Sequence, residues 1–226
     1  MTNRPAQPRP SFSATVQLPR RARIGLFGGT FDPIHQGHLQ FARRAQRELR
    51  LDWIYFLPAP QPWHKAAPGA SYPDRYAMTA LALRGWQRAS PLALPELAAR
   101  PTYAVDEISA VRRRHPQARL FFLLGADALA DLPHWKDYPR LAGLCDWVVA
   151  PRTGFSAPQP GAIPAAIPPA RLHWLHRFHH PASSRRLRAQ AAGHRSSADP
   201  PAAATPAVVA AYIARAGLYR VPAASW

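Results

Sequence analysis

The stretch Gly28-Gly29-Thr30-Phe31-Asp32-Pro33-Ile34-His35-Gln36-Gly37-His38-Leu39 limits the possible folds more than any other part of the chain. It follows the apolar run Ile24-Gly25-Leu26-Phe27, which suits a buried strand, and leads into apolar residues at helical spacing over 38–49. A strand, a glycine turn and a helix start, in that order, bring unpaired backbone N–H groups and the positive end of a helix dipole together. That is a site for phosphate. His35 and His38, three apart at the helix mouth, add side-chain donors to it.

The rest of the chain continues the pattern. Strands are expected over 53–57, 92–94, 120–124, 147–150 and 171–175. Helices are expected from a cap at Asp74, over 103–114, and after a cap at Ser183 or Ser184. A last helix is opened by Thr205-Pro206, takes its apolar face from Val208, Val209, Tyr212 and Ile213, and ends at Gly217. Strands separated by helices need right-handed crossovers, so the chain reads as an α/β protein: a doubly wound parallel sheet with helices on both faces. Such sheets bind ligands beyond the carboxyl ends of their strands. Three loops should therefore share one edge: the opening motif, the segment from Pro58 to Lys65, and Gly125-Ala126-Asp127.

At 226 residues and 47% apolar content the chain can bury a full core. The 27 prolines gather in the tails and in one inner segment. The expected organisation is a disordered basic tail over 1–22, one folded domain over 23–220 with a Pro/Ala-rich loop at 157–170, and a short tail over 221–226. A net charge of +17 implies anionic partners. A nucleic-acid module would add a basic strip interleaved with aromatics or a known binding motif, and neither occurs. Cys145, the single cysteine, excludes an internal disulfide and reads as a small buried hydrophobe. With no apolar run of membrane-spanning length and no signal-peptide core, a cytoplasmic protein without membrane association is expected.

The glycine turn is neither a G-x-x-x-x-G-K-[ST] phosphate loop nor a G-x-G-x-x-G dinucleotide fingerprint. A zinc site built on His35 and His38 lacks a third ligand at suitable spacing, so no protein-held metal is expected. Two histidines after paired glycines suit the charge stabilisation of phosphoryl transfer. Arg185 and Arg186 fall in the first turn of the helix after Ser183, where the dipole disfavours positive charge by a few tenths to about 1 kcal/mol. A bound triphosphate would reverse that sign.

The opening stretch resembles the signature of the nucleotidyltransferases with the H-x-G-H motif, and more closely that of the bacterial nicotinate-nucleotide adenylyltransferases. The likeness runs from about residue 24 to residue 219. It includes Pro62-Trp63-His64-Lys65, Arg75 with Met78, Pro101-Thr102-Tyr103-Ala104-Val105-Asp106, Gly125-Ala126-Asp127 with Trp135, Ser183-Ser184 with Arg188, and Tyr212-Ile213 with Gly217-Leu218-Tyr219. It implies a Rossmann-like nucleotidyltransferase fold. It also implies adenylyl transfer from ATP to nicotinate mononucleotide, giving nicotinate adenine dinucleotide and pyrophosphate in NAD biosynthesis, with Mg2+ accompanying ATP.

By the resemblance, His35, His38, Lys65 and Arg188 are the catalytic residues. Gly28, Gly29, Thr30, Phe31, Gly125, Asp127, Ser183 and Ser184 join His35, His38 and Arg188 around ATP. Thr102, Tyr103, Trp135 and Lys65 hold the mononucleotide, with Trp135 stacked on the pyridine ring. Ala104 and Arg185 stand where the family has threonines, and Trp63 where it has proline. Ala104 leaves nicotinamide mononucleotide open as acceptor, and Ala104 with Arg185 a non-catalytic relative that binds nucleotide. The superfamily adds phosphopantetheine as a rival acceptor, and the +17 charge a basic nucleic-acid-binding protein.

Overall fold

The computed structural model describes residues 16–62, 67–97, 101–151, 164–175, 178, 182–193 and 204–220. Six parallel strands form one sheet: β1 (Arg23–Gly29), β2 (Trp53–Pro58), β3 (Ala89–Pro91), β4 (Arg119–Gly125), β5 (Asp146–Ala150) and β6 (Leu172–Trp174). Their order is β3-β2-β1-β4-β5-β6. The chain winds outward from β1 in one direction and from β4 in the other, so the strand order reverses between β1 and β4. This makes it a doubly wound, Rossmann-like sheet, with a crevice at the carboxyl ends of those two strands.

Side chains alternate across the sheet, which divides the core into two layers. Ile24, Leu26, Leu57, Phe122, Leu124 and Trp147 point to one face, where they pack with α3 (Ala104–Arg114) and α5 (Tyr138–Leu144). Phe27, Phe56, Phe121, Leu123 and Val148 point to the other, under α1 (Gln36–Glu48), α2 (Tyr72–Ala82) and α7 (Ala207–Ala216). Each large apolar side chain buried in these layers contributes about 1.5–3 kcal/mol. Cys145 lies in the first layer, and burial pushes its thiol well above the usual range.

Several boundaries differ from the sequence expectation, each for a local reason. Helix α1 begins at Gln36 rather than at 38, because His35 has the extended backbone of an N-cap. The cap of α2 is Ser71, whose hydroxyl oxygen accepts the Asp74 N–H at 3.3 Å. Asp74 therefore lies inside the first turn, where its carboxylate also accepts the Ser71 hydroxyl at 2.6 Å. Strand β3 falls at 89–91, ahead of the expected 92–94. Val208 is 46% exposed, so α7 turns only Val209 and Tyr212 fully inward. Pro206 caps that helix, and Gly217 ends it at φ 63°, a conformation that favours glycine. Of the expected 157–170 loop, residues 157–163 lie outside the described residues. Among the described residues no helix is long and apolar enough to cross a membrane.

Candidate active site

The opening turn leaves β1 at the crevice. Gly28 is paired with Leu57 of β2, and Gly29 with Pro58. An added Cβ would lie 2.9 Å from the Phe122 ring at Gly28 and 3.1 Å from the Phe31 ring at Gly29. Gly28 therefore lets the chain pass close over the Phe122 ring of β4, and Gly29 makes room for the Phe31 ring to fold back. Phe31 follows with φ 49°, a left-handed conformation costing roughly 1–2 kcal/mol for a residue with a Cβ. Its ring is held edge-on to Phe27 and His38, with centroids 5.4 and 5.2 Å away. The side chain of Phe31 thus belongs to the core.

His35 and His38 meet at the start of α1. Their rings stack with centroids 3.6 Å apart and planes 23° apart. The Nδ1 of His38 accepts the main-chain N–H of His35 at 3.2 Å, which leaves the ring proton on Nε2. His35 is buried while His38 is half-exposed. A donor on a rigid ring is thus placed at the positive end of the helix dipole.

The carbonyls of the turn are held from the protein side. The Ala59 N–H donates to the Gly29 oxygen at 2.9 Å. Arg75 Nη1 donates to the Thr30 oxygen at 2.8 Å and Arg188 Nη1 to the Asp32 oxygen at 2.7 Å. The Ser184 hydroxyl donates to the Pro33 oxygen at 2.9 Å. Four main-chain oxygens of the turn are in this way each paired with a donor from the protein. Ser184 and Arg188 belong to α6 (Ser184–Ala191), so this helix abuts the turn directly, with Ser183 as its N-cap and Arg185 and Arg186 exposed at its mouth.

Asp32 is the hub of this arrangement and is 3% exposed. Its carboxylate accepts the Gly69 N–H at 2.8 Å, the Ala70 N–H at 3.1 Å and the Tyr219 hydroxyl at 2.8 Å, with Arg188 Nη1 at 3.5 Å. Arg75, 1% exposed, braces the same region through the oxygens of Ala70 and Pro60. Burial lowers the pKa of Arg75, and Asp32 works against that shift. Asp32 stood in the motif and Tyr219 in the chain's ending, but neither received a role from the sequence. A carboxylate flanked by apolar residues was the available signal for Asp32.

The other expected residues rim the same edge. Gly125 and Asp127 open α4 (Ala126–Asp131), with Asp127 in its first turn. Trp135 is half-buried, edge-on to Phe122 at 6.4 Å, and its ring N–H donates to Asp131 at 3.3 Å. Tyr103 caps α3, and the Lys136 ammonium lies 4.4 Å from its ring centre. Thr102 is buried, and its hydroxyl oxygen accepts the Gln61 N–H at 3.3 Å, tying the loop after β2 to the start of α3. Lys65 lies outside the described residues.

Glu107 is a further buried group that the sequence did not single out. An added Cβ on Gly28 would lie 3.4 Å from its Oε2. Burial, with a smaller contribution from Asp106, raises its pKa to about 8. Its carboxyl is therefore neutral under the glycine turn through most of the physiological range.

A model of the cytidylyltransferase-like family matches residues 26–190. A protein of Gloeobacter violaceus named "Probable nicotinate-nucleotide adenylyltransferase" is 41% identical over 212 residues, which cover 89% of this chain and 98% of that one. One of the same name from Neisseria meningitidis is 39% identical over 202 residues, covering 87% and 98%. Among solved structures, the Plasmodium falciparum nicotinic acid mononucleotide adenylyltransferase complexed with NaAD superposes with a TM-score of 0.71. It is 18% identical, with 88% of this chain and 98% of that chain covered, a likeness of fold.

Proposed function

The chain belongs to the cytidylyltransferase-like family and, within it, to the nicotinate-nucleotide adenylyltransferases, and on that premise we propose that it moves the adenylyl group of ATP onto nicotinate mononucleotide. A phosphate oxygen of the mononucleotide attacks the α-phosphorus, the bond to the β-phosphate oxygen breaks, and pyrophosphate leaves. The product is nicotinate adenine dinucleotide, made for NAD biosynthesis in the cytoplasm. The observation that carries this reading is the stacked His35–His38 pair at the mouth of α1, set directly after a glycine turn at the reversal of strand order.

The nucleophile is already an anion and needs no general base. The enzyme's work is alignment and neutralisation of crowded negative charge. In this reading His38 donates from Nε2 to the triphosphate around the reacting phosphorus, with His35 supporting it from beneath. The main chain of Gly28, Gly29, Thr30 and Phe31 lies along the phosphates. Ser183, Ser184 and Arg188 close the ATP side, and Gly125 and Asp127 take the adenosine ribose. Thr102 and Tyr103 line the mononucleotide site, Trp135 stacks on its pyridine ring, and Lys65 reaches phosphate from the loop after β2.

Among the described residues no group of three or more His, Cys, Asp or Glu side chains could hold a metal. The turn offers donors and cations, which suits a magnesium ion that arrives on the phosphates of ATP and shares their charge. Purified protein given ATP, magnesium and nicotinate mononucleotide should release pyrophosphate and form the dinucleotide. Absence of turnover with nicotinate and nicotinamide mononucleotides alike refutes the reading. Turnover with the nicotinamide form only would keep adenylyl transfer and change the acceptor.

A further inference from the structure

The catalytic turn and α6 share a connection through the end of the chain. Tyr219 follows α7 with φ 65°, a left-handed conformation held by a residue with a Cβ. Its hydroxyl donates to Asp32 Oδ1 at 2.8 Å, and its ring lies so close to Gly69 that an added Cβ there would be 3.1 Å away. The same added Cβ would be 3.3 Å from Arg188 Cδ, so the Tyr219 ring and the Arg188 stem cover Gly69 together. Arg188 in turn grips Asp32 at its main-chain oxygen, 2.7 Å away. Burial, followed by the neighbouring Asp32, drives the Tyr219 pKa far upward, so the phenol remains a proton donor.

We propose that Tyr219, Asp32 and Arg188 form a latch that fixes α6 against the catalytic turn, with Tyr219 as a positioning residue for the triphosphate. One carboxylate receives the C-terminal segment and two N–H groups of the loop after β2, and lies beside the guanidinium of α6. Rotation of that carboxylate would change its contact with Arg188, the α6 side chain that also holds the Asp32 main-chain oxygen. The functional consequence rests on ATP lying at the α6 start, as proposed, with the mononucleotide near Tyr103 and Trp135. The loop that carries Lys65 keeps its Gly69 and Ala70 N–H bonds to Asp32 when only the phenol hydroxyl is lost. Loss of the phenol should therefore weaken ATP selectively.

The molecule contains its own control. Tyr212, on α7, donates a buried hydrogen bond to Asp74 Oδ1 at 2.9 Å, so its phenol is anchored on α2 and not on Asp32. The experiment compares wild type, Tyr219→Phe and Tyr212→Phe by calorimetric titration with a non-hydrolysable ATP analogue and magnesium, below the melting midpoints of all three. The KM for each substrate is measured in parallel. Tyr219→Phe should weaken analogue binding and raise the KM for ATP about tenfold, the scale of one lost hydrogen bond to a charged group. The KM for the mononucleotide should stay within about twofold, and Tyr212→Phe should leave both constants near wild type. Equal nucleotide affinity in the two variants, or equal loss for both substrates in Tyr219→Phe, overturns the latch. If wild type binds the analogue but turns over no mononucleotide, adenylyl transfer fails while the calorimetric comparison still decides the latch.

Discussion

The phenol of Tyr219 and the carboxylate of Asp32 are 187 residues apart in sequence and 2.8 Å apart in the fold. That bond closes the polar structure behind the glycine–histidine turn. Its acceptor also takes two main-chain N–H groups from the loop that leads into α2. Removing a buried carboxylate leaves each of those donors, and the neighbouring Arg188 charge, without its partner.

Asp32→Ala should therefore cost about 3–5 kcal/mol of stability, the range for breaking a buried charged network by deleting one member. Urea unfolding of the two proteins measures it directly. A loss below about 1 kcal/mol, typical of an exposed ion pair, would show that the carboxylate is not the hub described.

The two glycine environments predict opposite signs. At Gly28 an added Cβ would be 2.9 Å from Phe122 Cζ in the packed layer beneath the sheet, whereas at Gly143 in α5 it would meet nothing within 4 Å. Gly28→Ala should destabilise the protein by about 1–3 kcal/mol through overpacking. Gly143→Ala should stabilise it by roughly 0.5–1 kcal/mol through helix propensity. Thermal melts of the two single variants check both signs.

Glu107 should leave a mark on the pH dependence of stability. Its folded pKa, about 8, lies above the unfolded value near 4.5, so the folded state binds the extra proton between those limits. That contribution is fully present below about pH 4.5 and is lost as pH rises through about 8, a change on the order of a few kcal/mol. Glu107→Gln removes the titration. Denaturant melts across this range should show the difference between variant and wild type shifting in favour of the variant as pH rises. A constant difference at every pH contradicts a neutral carboxyl under the turn.

Much of the frame was legible because it is written locally. Apolar runs of four or five residues match the central strands, helical spacing matches α1 and α3, and the parallel sheet puts the ends of β1, β2 and β4 on one edge. Boundaries depended on competition the pattern does not show. Ser71 and Asp74 both suit a cap, and the hydrogen bond between them makes Ser71 the cap and Asp74 part of the first turn. Val208 looked like a member of an apolar stripe, but α7 is rotated to turn Val209 and Tyr212 inward. In the candidate site, the meeting of His35 and His38 at a helix mouth was legible from their spacing after paired glycines. Its support was not, because Asp32, Arg75 and Tyr219 act through contacts between distant segments, which no short pattern encodes.

The most direct test of the central claim is pyrophosphate release from ATP and nicotinate mononucleotide, measured for wild type and for His38→Ala. Removing a donor placed against the developing charge should lower kcat by about 10²–10³, with the fold retained and the melting temperature down by a few degrees, because His38 also accepts the His35 N–H at the start of α1. Pyrophosphate release by wild type that collapses in the variant is the predicted result. An unchanged rate in His38→Ala, or no release by wild type with any pyridine mononucleotide, would contradict the role assigned to this turn.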